Sequence, residues 1–278
     1  MNILTFDVEE WFIMEDAGNI PHNTWQELQS RIEKNVGIIL SATSRHNMKA
    51  TFFVLGWVAE QYPALIRQIA DAGHEIGYHS YYHIRPLHQE PAAFEDDLVK
   101  GLGLLEKVTG QKIKAYRAPN FSVSSESAWI YPILAKHGIT MSSSVKAYRS
   151  IFNYRVQSKP FRIRTAHGDV FEFPLNRVLM PGFKLVYSGS GYLRLLPYSL
   201  IRLLFSFSDY NMAYFHPRDF DLHFPGHRAI CKYHHWRSSI KSKTTMPKLN
   251  RLAESYYFNT LEEAFTVYSN GGHTTVQL

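Results

Sequence analysis

Cysteine is nearly absent: Cys231 stands alone among 278 residues. No intramolecular disulfide can form, so stability rests on packing, and any chemistry rests on carboxylate and imidazole groups or a metal. Cys231 itself reads as packed and inert. No run approaches the roughly 18 apolar residues of a membrane-spanning helix. The apolar stretch before Asp7 is too short for a secretory leader, so a cytoplasmic protein is expected, with no transmembrane segment and peripheral membrane contact left open. Strong charge of one sign is missing too, the net charge being only +6. The one basic concentration spans 228–243: Arg228, Lys232, Arg237, Lys241 and Lys243, with His234 and His235. It reads as a solvated face, or as a contact for a phosphate on a carrier. Helix-turn-helix, zinc-finger and aromatic-platform patterns are lacking, which argues against nucleic acid. Repeats and low-complexity linkers are lacking as well, so residues 1–278 are read as a single catalytic domain.

What is present is a core-forming composition, 45% hydrophobic and 19% charged, and a β-α alternation. Strand-like runs at 3–6, 50–55, 75–79, 114–117 and 212–216 are interleaved with helical spacing over 24–43, 62–72, 92–109, 128–137, 198–207 and 261–268. Pro63 suits a first helical turn, and Gly73, Gly110 and Gly138 suit helix ends. The pattern predicts an α/β fold on a mainly parallel sheet, closed or open, with function at the carboxyl ends of the strands. Around 148–176 it weakens into short strand-like pieces, a β-rich insertion.

Three motifs lie at predicted strand ends. In Phe6-Asp7-Val8-Glu9-Glu10-Trp11, residues two apart on a strand share a face, so Asp7 and Glu9 are expected side by side, where they repel unless a cation or proton intervenes. In His79-Ser80-Tyr81-Tyr82-His83, a helical turn between the histidines would bring two imidazoles to one ion. Two imidazoles and one carboxylate make a three-ligand site with positions open to water and substrate. The third motif is Arg117-Ala118-Pro119-Asn120.

In order and spacing the three motifs resemble the polysaccharide deacetylase family, the NodB-homology group, whose motifs commonly read T-F-D-D-G, H-[ST]-x-x-H and R-x-P-[YFN]. The resemblance runs from Ile3 to about Phe220, and D-V-E-E-W-F is similar to a subgroup associated with exopolysaccharide and surface-polysaccharide synthesis. It implies a distorted (β/α)-barrel and a divalent metal, Zn2+ first with Co2+, Ni2+ or Mn2+ as alternatives. It further implies hydrolysis of an N-acetyl group on an amino-sugar unit of a polysaccharide or its biosynthetic intermediate, carrier- or nucleotide-linked, by metal-bound water. Asp7 would be the catalytic base, His79 and His83 metal ligands, and Arg117 the group holding the base ionised and oriented. His216, in Tyr214-Phe215-His216-Pro217-Arg218, falls where the family places its general acid.

Two departures qualify the match. Val8 replaces the usual aspartate ligand; the strand-face argument selects Glu9 in its stead, with Glu10 or a water as alternatives. Ser142 stands where relatives often carry aspartate. A non-catalytic carbohydrate-binding homologue, and a hydrolase of an O-acetyl ester or cyclic amide, are therefore carried as alternatives. Trp11, Tyr81, Pro119 and Asn120 are candidate substrate contacts, Tyr82 and Phe121 further rings beside the motifs, and oligomeric state is left open.

Overall fold

A computed structural model describes residues 1–13, 20–146, 159–180, 183–223, 225, 230, 232, 236, 240–271 and 274–278. Residues 148–158 of the expected insertion, Cys231, and Arg228, His234, His235 and Arg237 of the basic segment lie outside these.

The strands are β1 (Asn2–Val8), β2 (Thr51–Val54), β3 (Glu75–Tyr78), β4 (Ala115–Tyr116), β5 (Met141–Ser142), β6 (Phe161–Thr165), β7 (Gly168–Glu172), β8 (Val178–Met180), β9 (Phe183–Leu185), β10 (Asn211–Phe215) and β11 (Thr275–Gln277). The helices are α1 (Ile32–Arg45), α2 (Gly56–Gln61), α3 (Pro63–Asp71), α4 (Pro91–Thr109), α5 (Ile130–Lys136), α6 (Ser190–Leu195), α7 (Tyr198–Ser206), α8 (Thr245–Ser255) and α9 (Leu261–Ser269). Nine strands form one sheet in the order β10-β1-β2-β3-β4-β5-β7-β6-β11, the arrangement of a distorted (β/α)-barrel. The run from β10 to β7 is parallel throughout; β6 and β7 make the antiparallel hairpin of the expected β-rich segment. Among the described residues no helix is long and apolar enough to cross a membrane.

Strands covered on both faces are mostly apolar, and β1 and β2 are: β2 is buried throughout and β1 from Ile3 onward, with Thr5 and Asp7 its buried polar residues. Phe6 stacks on Phe52 at 4.8 Å and packs against Phe215 and Phe220, locking β1 to its neighbours. Each such ring contributes about 1.5–3 kcal/mol by burial. Helix α4 starts at Pro91, buries Phe94, Leu98, Leu102 and Leu105, and ends at left-handed Gly110. It lies close on β3 because Gly101 has no side chain: a Cβ there would come within 2.1 Å of the Tyr78 ring.

The expected helix over 24–43 is two pieces, a 3-10 turn at His22–Glu27 and α1. The cause is Glu10, whose buried carboxylate accepts the Arg31 and Ile32 backbone N–H groups and the Ser30 hydroxyl, fixing the start of α1 at residue 32. With β10, β1, β2, β3 and β4 adjacent and parallel, whatever follows β1, β3, β4 and β10 emerges on one side of the sheet.

Candidate active site and metal centre

That side gathers Asp7 near the end of β1 and Glu9 just past it, His79 and His83 after β3, Arg117 after β4 and His216 after β10. Glu9 reaches the cluster by a route other than the expected strand face: its N–H bonds the Asp7 carbonyl at 3.0 Å in a tight turn just past β1. Val8 points into the core. The histidine pair likewise converges without a helical turn, through a loop in which Ser80 (φ 67) and His83 (φ 61) are left-handed. Asn120 (φ 59) and Phe121 (φ 49) share that conformation in the Arg117 loop. Four strained residues in two loops bordering one cluster is the pattern of a functional site held by its surroundings.

His79 Nε2 and His83 Nε2 each lie 3.0 Å from Glu9 Oε1, and one ligand atom from each residue falls within 4.8 Å of the others. Ligands about 2.1 Å from a common tetrahedral ion stand about 3.4 Å apart, so the donor set fits zinc in chemistry and spacing. His79 Nδ1 donates to the Arg117 carbonyl at 2.7 Å, which leaves Nε2 as the nitrogen that faces the cluster. All three residues are buried. Burial alone would push the Glu9 carboxyl up; His83, His216, Arg218 and the His79 hydrogen bond outweigh it and hold Glu9 well below the usual carboxylate range. Burial pushes His79 down, but Asp7 and Glu9 more than offset it and raise the imidazole above its ordinary value. Glu10 takes no part, being committed to α1.

Arg117 is fully buried with its guanidinium satisfied all round: Nη1 bonds Asp7 Oδ1 at 2.6 Å and Thr5 Oγ1 at 2.9 Å, Nη2 bonds Ser143 Oγ at 3.0 Å and meets Met212 Sδ, and Nε bonds the Ser143 carbonyl at 3.2 Å. Phe53 and Phe121 sandwich it at 4.1 and 4.6 Å. Asp7 Oδ1 is thereby pinned, and Oδ2 faces His79 Nε2 at 4.0 Å and His216 Nε2 at 3.9 Å. Ser142 is buried and bonds Ser144. A second arginine, missed in the sequence, mirrors the first: Arg218 Nη1 holds Glu9 Oε2 at 2.8 Å. Its signal was its place two residues after His216.

Two expected substrate contacts are corrected. Trp11 is 3% exposed with Nε1 on the Gln29 carbonyl, and Tyr81 is 2% exposed, packed on Gly56 beneath Lys100. Each ring is anchored by a neighbour on the protein side, so neither presents a face to a sugar. Tyr82, 37% exposed and 4.6 Å from His22, is the tyrosine of that loop open to solvent. Pro119 is buried, Phe121 packs on Arg117, and Asn120 is partly exposed.

Residues 13–142 match the polysaccharide deacetylase family, and residues 142–266 match a domain of unknown function, DUF3473. A peptidoglycan deacetylase from Helicobacter pylori is 29% identical over 158 residues, 51% of this chain and 53% of that one. A peptidoglycan-N-acetylglucosamine deacetylase from Bacillus cereus is 36% identical over 81 residues, 29% of this chain and 30% of that one. The chain thus spans about a third to a half of these relatives. In fold it is similar to a Mycobacterium smegmatis protein assigned to the polysaccharide deacetylases (TM-score 0.68, 17% identity, covering 99% and 92% of the two chains). An allantoinase is similar too, at TM-score 0.62 and 14% identity, covering 98% and 91%. Residues 13–142, which carry His79, His83 and Arg117, are thus a polysaccharide deacetylase family segment.

Proposed function

We propose that the chain hydrolyses an N-acetyl group on an amino-sugar unit of a polysaccharide or of its biosynthetic intermediate, releasing acetate and a free amine. The observation that carries this reading is the convergence of Asp7 Oδ2 and His216 Nε2, 3.9 Å apart, beside the Glu9, His79 and His83 donor set. Those three residues would hold the divalent cation, zinc first by donor chemistry, with Co2+, Ni2+ and Mn2+ as alternatives. When bound, the ion acidifies water and polarises the acetyl carbonyl.

The chain's own groups do the rest. Asp7, with Oδ1 taken by Arg117, offers Oδ2 to accept the proton of the attacking water. His216 Nε2 donates a proton to the sugar nitrogen as the carbon–nitrogen bond breaks, so the amine leaves neutral. Tyr82 and Asn120 border the site on the side where the sugar would lie. The two relatives described above, both named as deacetylases of peptidoglycan, support an N-acetylated saccharide as substrate. The same reading takes residues 1–278 as one catalytic domain. In support, Asp7 and Glu9 precede the first matched segment, His216 lies in the second, and β1 pairs with β10.

The test is acetate release from N-acetylated chito-oligosaccharides, with O-acetyl esters and a cyclic amide as parallel arms. Release from the N-acetyl substrate should disappear on chelation and return with Zn2+ or Co2+. No release with any of the four metals would sink the reading, and a preference for the ester or cyclic amide would redirect it.

A further inference from the structure

The 3-10 turn that follows β10, Pro217–Phe220, carries an aspartate that the reaction just described does not use. Asp219 is 2% exposed. Its Oδ2 accepts the backbone N–H of His216 at 2.8 Å and lies 3.4 Å from His216 Nδ1. Its Oδ1 faces Arg194 Nη2 at 3.7 Å, and Arg194 is itself 4% exposed. Resting on the reading of His216 as the acid, we propose that Asp219 is a positioning residue that turns His216 Nδ1 away from the site and thereby presents Nε2 to the leaving nitrogen.

The geometry argues this in three steps. A carboxylate only accepts, so Asp219 Oδ2 favours the tautomer with hydrogen on Nδ1, and the Asp219 N–H beside the same ring is already engaged by the His216 carbonyl at 2.9 Å. The other nitrogen, Nε2, then stands 3.9 Å from both Asp7 Oδ2 and Glu9 Oε2, inside the cluster. Arg194 meets Oδ1 while His216 meets Oδ2, so both oxygens of the carboxylate have a partner. The turn does not depend on Asp219 alone. Asp221 accepts two bonds from Arg31, both 2.8 Å, and ties the same turn to the start of α1. A substitution at 219 is therefore expected to leave the turn in place and free the imidazole within it.

Asp219 also caps the turn by holding the His216 N–H, and a purely structural role would lower every activity alike. The experiment uses the zinc-supplied chain and two substrates. An N-acetylated chito-oligosaccharide has an amine leaving group that needs a proton; para-nitrophenyl acetate has a phenolate that departs without one. In Asp219→Asn, kcat on the amide should fall by about 10- to 1000-fold, because the amide group can pair with the wrong tautomer, while KM stays within about twofold. Activity on the aryl ester should fall far less. Arg194→Gln should show the same split, smaller, and carries the comparison should Asp219→Asn fail to fold. Equal losses on the two substrates, or full amide activity in both variants, would overturn the proposal. Imidazole nitrogen NMR gives a reading independent of substrate: His216 should carry its hydrogen on Nδ1 in the wild type and lose that signature in Asp219→Asn. A wild type inert on both substrates would defeat the deacetylase reading, and a His216 Nδ1 without hydrogen would separately defeat this one.

Discussion

Glu9 and Glu75 stand at opposite ends of the same parallel strands, Glu9 just past the carboxyl end of β1 and buried, Glu75 at the start of β3 and partly buried. Burial pushes both up. At Glu9 the cationic partners His83, His216 and Arg218 reverse that push and hold the group well below the usual range. At Glu75 burial wins and the carboxyl rises to about 7. Glu75 has hydrogen bonds in plenty: from the Thr51 hydroxyl at 2.6 Å and from the N–H groups of Leu261 and Glu262 at 2.8 and 3.1 Å, where it meets the start of α9. Neutral donors satisfy lone pairs without balancing a charge, and nearby Glu262 adds repulsion. The two ends show what a site needs beyond buried acid. One end concentrates fixed and titratable cations around its carboxylates; the other uses a carboxylate to close a helix.

Matched carboxamide swaps turn that contrast into measurements. The largest effect is expected from Asp7→Asn, which keeps volume but removes the proton acceptor: acetate release should fall by about 10²- to 10⁴-fold while zinc, measured by elemental analysis, stays bound. An active Asp7→Asn chain would move the base elsewhere. Next comes Arg117→Met. Deleting one partner of a buried pair leaves Asp7 uncompensated and should cost about 3–5 kcal/mol in urea denaturation. The reference is Lys112→Met, which breaks an ion pair whose lysine is 81% exposed and should cost about 0–1 kcal/mol. Equal costs would mean that burial is not what separates the two kinds of pair.

Much of this was legible in the chain. The β-α alternation gave the parallel sheet because apolar periodicity and glycine stops are local signals, and the motif residues Asp7, Glu9, His79, His83, Arg117 and His216 meet because parallel strands deliver their ends to one side. What the sequence hid was set by tertiary partners. Nothing in D-V-E-E says that Glu10 will start α1 while Glu9 turns to the histidines; that depends on Arg31 and Ile32, more than 20 residues on. Tyr81 and Tyr82 are adjacent and alike in sequence, yet Gly56 and Lys100 draw one into the core and leave the other in solvent. Arg218 stood two residues after His216 in the quoted segment, but its partner Glu9 is visible only once β10 lies beside β1.

A smaller effect than at Arg117 should come from Glu75→Gln, and its signature is a slope. With the folded-state pKa raised to about 7 from an ordinary 4.5, the folded chain holds a proton that the unfolded chain releases. The stability Glu75 contributes is therefore complete below about pH 4.5 and is lost as pH rises through 7, by up to roughly 3 kcal/mol. Glutamine cannot titrate, yet its carbonyl can still accept from α9, so the variant should track the wild type at pH 5 and exceed its Tm by about 5 °C at pH 8. Taking the difference between the two melting curves removes every other titrating group. Deacetylation at pH 7 should stay within about twofold, since the swap lies at the far end of the strands. Parallel Tm profiles for the two proteins would show that Glu75 is ionised like any surface carboxylate, and the contrast with Glu9 would lose its lower half.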